Sequence, residues 1–242
     1  MIHLLIKKNR VRVPAAEATK KLLELSDSWK HPGIPEQQWE VVNTQISKFS
    51  RDEQVELFEV LCNSVVICLE QLKDTSTNLL EIGCASGYNG AVLQKRFPEL
   101  SYTGVDFSKE LISFGKSKFQ HLDLQVQDAT HLDFPNGHFE IVVSGGVLLH
   151  IADWKSGIKE SCRVARKYLI FHRTPITWWA TKLFTKTAYD VTMFEWSFNE
   201  KEFIAEVESH GFSRTETLKI GSRIIDRWSR RLQVTYVFSK TI

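Results

Sequence analysis

Two hydrophobic periods divide the chain. Up to about Asp74 apolar residues recur at helical spacing: residues 15–25 are rich in Ala, Lys, Leu and Glu, which favour helix. The stretch Trp29-Lys-His-Pro-Gly-Ile-Pro35 breaks that pattern, and a helix restarting near Glu36 would carry Trp39, Val42 and Ile46 on one face. Ser50-Arg-Asp-Glu53 has the spacing of a capping box, predicting a longer helix from there to about Leu72. Beyond Asp74 short apolar runs alternate with helical stretches. Strands are predicted at 78–83, 100–106, 122–127, 139–144 and 167–172, with helices at 87–97, from Ser108 to about 119, and at 153–165. An amphipathic helix at 199–210 stops at Gly211, and two alternating runs, 212–220 and 232–239, are expected to pair antiparallel at a sheet edge. Strands alternating with helices imply right-handed crossovers and a doubly wound sheet. The fold expected is α/β, with a seven-stranded, mostly parallel sheet covering residues 75–242, a helical cap at 1–74 and an aromatic-rich lid insertion at 173–198.

Composition narrows the class without changing this picture. With 242 residues, 43% hydrophobic and 25% charged, the chain is long and apolar enough for a sizeable core, so wholesale disorder is excluded. A net charge of +2 does not mark a dedicated polyanion binder. No apolar run approaches the roughly 18 residues of a membrane span. The opening MIHLLIKKNRVRV has the reverse order of a secretory signal, so a soluble cytoplasmic protein is expected. Cys62, Cys68, Cys84 and Cys162 form no CxxC pair and no metal spacing, and read as buried thiols of a reducing compartment.

Ligands of doubly wound sheets bind outside the carboxyl ends of the strands. There the first strand runs into Glu81-Ile-Gly83-Cys-Ala85-Ser-Gly87, whose glycines permit a tight turn before a helix N-terminus. A dinucleotide fingerprint fits poorly, since its second and third glycines would be Ala85 and Tyr88. Three acids, Glu81, Asp106 and Asp128, fall on the same edge. Glu81 would repel a pyrophosphate and suits a ligand amino group, Asp106 can accept both hydroxyls of a ribose, and Asp128 can accept from an adenine amino group. A helix cap for Asp106 and a solvated turn carboxylate for Asp128 are the alternatives.

In LLEIGCASG, TGVDFS and VQDATHLDFPNGHFEIVVSGGVLLHI the chain resembles the class I S-adenosylmethionine-dependent methyltransferases over roughly residues 79–171, with the edge hairpin 212–239 fitting the same topology. Ala85 departs from the glycine usual in that family. The resemblance implies a Rossmann-like methyltransferase fold and S-adenosylmethionine as cofactor, with S-adenosylhomocysteine as product. It also implies that Gly83, Ala85 and Gly87 border the methionine moiety, Asp106 holds the ribose, Asp128 and Ala129 meet the adenine, Phe107 or Leu149 packs on its face, and Ser144 lies near the sulfonium. A neutral amine or hydroxyl acceptor must lose a proton, and His150, after the fourth strand, is the candidate base, unless it is merely satisfied by backbone.

Specificity is expected from the aromatic insertion and the N-terminal helices. Trp178, Trp179, Phe184, Tyr189, Phe194 and Trp196, with Asp190 and Glu195 interleaved, suit a cationic or aromatic acceptor, or else a lid packing on the sheet or on a dimer partner. Trp39 is a further candidate pocket wall. The expected partner is a small-molecule acceptor, an amine or guanidine of secondary metabolism included, methylated on N or O; a homodimer is compatible with this and a membrane partner is not. Base-amine methylation is disfavoured because Ser144-Gly-Gly-Val replaces the usual Pro-Pro-aromatic motif, and the cluster Arg223, Arg227, Arg230 and Arg231 reads as a solvated loop rather than a phosphate contact. The rival readings are a non-catalytic binding module, an RNA methyltransferase and a nicotinamide oxidoreductase.

Overall fold

The strand-like runs become strands because most of their residues are buried on both faces, as a central parallel sheet requires. A computed structural model describes residues 10–72, 77–220 and 232–241. The Arg223–Arg231 cluster and the first nine residues lie outside them. Strands β2 (Asn78–Ile82), β3 (Ser101–Asp106), β4 (Asp123–Val126), β5 (Phe139–Ser144) and β6 (Ala165–Thr177) pair in parallel in the order β4-β3-β2-β5-β6. Strands β9 (Phe212–Ile220) and β10 (Leu232–Lys240) complete the edge: β10 runs antiparallel to both β6 and β9. This is the expected seven-stranded sheet. Helices α5 (Lys109–Lys118), α6 (Trp154–Val164) and α7 (Glu200–Glu208) each start on a side-chain cap, Ser108, Asp153 and Asn199 respectively.

The alternation of each strand sorts its side chains onto two cores. Leu80, Val142, Leu169 and Phe238 face α6 and α7 through Trp154, Ile158, Phe203 and Val207. Leu79, Ile141, Ile170 and Val237 face α3 (Glu56–Leu69) and α4 (Tyr88–Arg96) through Phe58, Leu61, Val65 and Leu93. Helix α3 therefore belongs to the layer covering the sheet.

Two sequence expectations change. Ser50 opens no helix: it is the last residue of α2 (Ile34–Ser50), the turn passes through Asp52 at φ 60°, and α3 starts at Glu56 with no side-chain cap. Tertiary packing overrides the capping pattern, because buried Phe49 packs edge-on to Phe58 with centroids 5.6 Å apart, which carries α2 on to Ser50. The stretch 173–198, expected as an aromatic-rich lid insertion with no elements assigned, is regular structure. It completes β6 and then forms a hairpin, β7 (Lys182–Ala188) and β8 (Val191–Asn199), joined by Tyr189 and Asp190 at φ 53° and 57°, a two-residue turn with both residues left-handed. Strand β1 (Val11–Arg12) adds to β7, and Phe198–Asn199 of β8 pair in parallel with Ile176–Thr177 of β6, giving ten strands among the described residues.

Strand β6 contains a bulge. Tyr236 of β10 opposes Phe171 and Val234 opposes Thr174, so His172 and Arg173 together face Thr235. A hydrogen bond of 2.8 Å joins His172 Nδ1 to Thr235 Oγ1, the Thr174 hydroxyl donates to the Phe171 carbonyl at 3.1 Å, and Arg173 takes φ 59°. The extra residue lets Phe171 and Ile176, an odd number of residues apart, point into the same core.

Candidate active site

The carboxyl ends of β2, β3, β5 and β6 meet at one edge, around the turn Gly83–Gly87. Gly83 has φ 71°, and a Cβ there would lie 2.2 Å from the Val147 Cβ, so any side chain would force the β5 loop away. Ala85 occupies the left-handed region at φ 50°, a conformation costing an L-residue about 1 kcal/mol that glycine would escape. Its N–H donates to Asp106 Oδ2 at 3.0 Å, while the Ser108 N–H donates to Oδ1 at 3.0 Å. Burial pushes the Asp106 carboxyl up to about 6, with the Ser108 and Ala85 N–H groups pulling the other way.

Glu81 is fully buried. Tyr102 donates to its Oε2 at 2.6 Å and the Asn89 amide to its Oε1 at 2.7 Å; burial still pushes the carboxyl up to about 7. A Cβ on Gly145 would stand 2.5 Å from that same Oε1, so glycine there lets the end of β5 close on the carboxyl. Both Glu81 oxygens are thus engaged by protein. Ser144, the last residue of β5, is buried beside it, and Leu149 lies buried in the turn Leu148–His150. Asp128, beyond β4, is exposed and accepts from the Thr130 N–H and hydroxyl, both at 2.8 Å; Ala129 packs on the α6 side of the core. The Phe107 ring carries Lys30 Nζ at 5.1 Å.

The hairpin tip and the N-terminal segment cover this turn. Ile34, fully buried, packs with Ala85 and Leu111, together with Trp29, Tyr88 and Tyr189. The Trp29 ring meets the rings of Tyr189 and His150 at 6.0 and 4.9 Å. His150 Nδ1 lies 2.7 Å from the Phe194 carbonyl, an acceptor, so a neutral ring carries its proton there and its basic lone pair on Nε2.

Other expected pocket residues stand elsewhere. Trp178 and Trp179, 59% and 60% exposed, sit at the base of the hairpin, the end away from Tyr189, where the Asn199 amide donates to their carbonyls. Trp39 packs on Phe114 and Phe119. Trp196 Nε1 donates to the Ile151 carbonyl at 3.0 Å, tying β8 to the turn that carries His150. Glu195 is buried between two cations, Arg10 at 2.5 Å and Lys186 at 2.8 Å, so it is neutralised within the protein. Asp190 is exposed in the hairpin turn.

The residues that sequence reasoning passed over are Tyr102 and Asn89, which hold Glu81, Tyr88 and Arg173. Only the structure brings these four together, since their strands and helix pack at one edge without any shared motif. The Arg173 Cβ lies beside Gly146, next to the Gly145 that closes on Glu81, and its positive charge works against the upward shift of the Glu81 carboxyl.

Whether S-adenosylmethionine suits this edge can be judged on its polar atoms. Trp29 Nε1, Gln38 Oε1 and Ser86 Oγ are buried with no hydrogen-bond partner among the described residues, and Asp106 offers a buried carboxylate beside them. Buried polar groups are normally paired, so this set fits a ligand bearing an amino acid and a ribose. Among the described residues no three His, Cys, Asp or Glu side chains form a metal cluster, and no helix is long and apolar enough to cross a membrane.

Residues 80–171 match the family model described as "Methyltransferase domain". Over 90 residues the chain is 32% identical to the ubiquinone/menaquinone biosynthesis C-methyltransferase UbiE of Desulfotalea psychrophila, a match covering 36% of this chain and 37% of that protein. The chain thus spans well under half the length of the curated relatives it matches. Among solved structures, an SAM-dependent methyltransferase from Methanosarcina mazei superposes with a TM-score of 0.58 at 17% identity, covering 72% of this chain and 96% of that one. The magnesium protoporphyrin IX methyltransferase of Synechocystis, solved with bound SAH, gives 0.57 at 15% identity over 85% and 97%. The fold is the Rossmann-like one of these methyltransferase structures, and residues 80–171 match a methyltransferase domain model.

Proposed function

We propose that this chain transfers a methyl group from S-adenosylmethionine to N or O of a small-molecule acceptor. The observation that carries the reading is Asp106, a buried carboxylate at the end of β3 set against the Ala85 N–H of the Gly83–Gly87 turn. A ribose placed there exchanges backbone donors for its two hydroxyls. The turn and the N-terminus of α4 hold the methionine end, with Ser86, Gln38 and Trp29 supplying polar atoms that lack partners among the described residues. Phe107, Ala129, Leu149 and Asp128 line the adenine side, and Ser144 adjoins the reacting end.

When bound, S-adenosylmethionine supplies an electrophilic methyl group on a sulfonium. The protein then contributes alignment and exclusion of water. Ile34, Trp29 and Tyr189 close over the turn and provide that exclusion. His150, held by the Phe194 carbonyl, presents Nε2 to take the acceptor's proton. With Glu195 neutralised by Arg10 and Lys186, a cationic acceptor finds little support from that side.

A second reading, methylation at carbon, draws support from the name of the quinone-pathway relative, a C-methyltransferase. Calorimetric titration with S-adenosylhomocysteine tests the shared core of both readings, and mass spectrometry of acceptor incubations separates N-, O- and C-methyl products. Absence of binding would overturn the proposal. Binding without product from any acceptor class would favour a non-catalytic module, a thermal shift with NADPH alone an oxidoreductase, and methylated tRNA an RNA enzyme.

A further inference from the structure

A cation aimed into a cleft is informative when the backbone is distorted to aim it. Strand β6 inserts one extra residue at His172–Arg173, and Arg173 adopts φ 59°, which costs a non-glycine residue about 1 kcal/mol. The distortion is built in: His172 is tied to Thr235 and Thr174 to the Phe171 carbonyl. Bulges beside binding sites commonly re-aim a side chain. Here the bulge sets the Arg173 Cβ beside Gly146 after β5, one residue from the Gly145 that closes on the Glu81 carboxyl, so the side chain leaves the strand at the edge that carries the Gly83–Gly87 turn. Arg173 is half-buried and makes no ion pair with a carboxylate among the described residues. Glu81, the nearby acid, is already bonded by Tyr102 and Asn89.

Strand order fixes which part of a ligand this cation meets. Asp106 stands on β3, and the next strands in the sheet are β2, β5 and β6. On the reading that Asp106 holds the ribose, the reacting end points toward β5, and Arg173 on β6 lies on the acceptor side beyond it. A guanidinium beside a sulfonium is a like-charge pair unless an anion stands between them. We infer that Arg173 anchors an acceptor bearing an oxyanion, a carboxylate or an ionised phenol, and so selects acidic over amine acceptors. This inference rests on the methyltransferase reading and names the substrate class of the same site.

The test uses the full chain saturated with S-adenosylhomocysteine and a panel of aromatic and aliphatic carboxylates and phenols, each paired with its neutral amide or its amine. Arg173→Gly removes the guanidinium and suits the left-handed backbone; Arg173→Lys keeps the charge without the fork and serves as a second variant. The wild type should bind the acids at least about tenfold more tightly than their neutral partners, the scale of a charge-assisted hydrogen bond. Arg173→Gly should bring that preference below about threefold, and Arg173→Lys should keep part of it, with S-adenosylhomocysteine affinity within about twofold of wild type in both. Equal binding of acids and amides by the wild type, or a preference that survives Arg173→Gly, overturns the inference. A large loss of S-adenosylhomocysteine affinity in Arg173→Gly overturns it differently, by giving Arg173 to the cofactor's carboxylate. No binding of S-adenosylhomocysteine to the wild type would instead sink the methyltransferase reading beneath it.

Discussion

Single side chains at the sheet edge carry most of the testable chemistry. Asp106→Ala should weaken S-adenosylhomocysteine binding by about 1.5–3 kcal/mol, the value of hydrogen bonds to a charged group, as read by calorimetry. Because burial raises its carboxyl to about 6, that affinity should also fall as pH drops through this value and the acceptor lone pairs become protonated. Glu81, held by Tyr102 and Asn89, should affect folding through its own titration. Its carboxyl moves from 4.5 to about 7, so the folded state holds the proton more tightly than the unfolded chain. The stability gained by protonation is complete below the unfolded value and is lost as pH rises through the folded one, a change of roughly 1–3 kcal/mol. Denaturant melts between pH 4 and 8 should show this slope, flattened in Glu81→Gln. His150→Ala should lower turnover far more than S-adenosylhomocysteine affinity; a parallel loss of both would make the histidine structural. The placement of the glycine turn and of Asp106 at one sheet edge was legible in the sequence because it follows from backbone freedom and strand position. Arg173 was not, because a bulge leaves no signature in residue order.

At the scale of elements, the hairpin separates appearance from role. Its aromatic density suggested one pocket, but a hairpin has two ends. Tyr189 at the tip reaches Ile34 and Trp29, whereas Trp178 and Trp179 at the base face solvent. Replacing both tryptophans by serine should therefore change stability by under about 0.5 kcal/mol, while Ile34→Ala, at a fully buried position, should cost roughly 2–4 kcal/mol, as thermal melts would report. Composition alone could not tell the two ends apart, since the distinction depends on which residues take the turn. The Ser50 box failed for a related reason: a local cap is worth about 1 kcal/mol, less than the burial of Phe49 against Phe58.

For the whole molecule, the alternation of apolar runs with helical stretches was enough to give a seven-stranded, mostly parallel sheet, because parallel strands need crossover connections. The three added strands were hidden: the fifth strand was expected to stop at His172, yet β6 continues through Pro175 to Thr177 and joins the two parts of the sheet. One stretch of that strand constrains the gene in an unusual way. From Phe171 to Ile176 what matters is the count of residues more than their identity. Losing a single codon between them would invert which side of the ribbon every later position presents, turning Ile176 outward and shearing the hairpin from its seat. Point substitutions there should be survivable where an in-frame deletion is not, and a deletion scan scored by soluble yield would display that asymmetry.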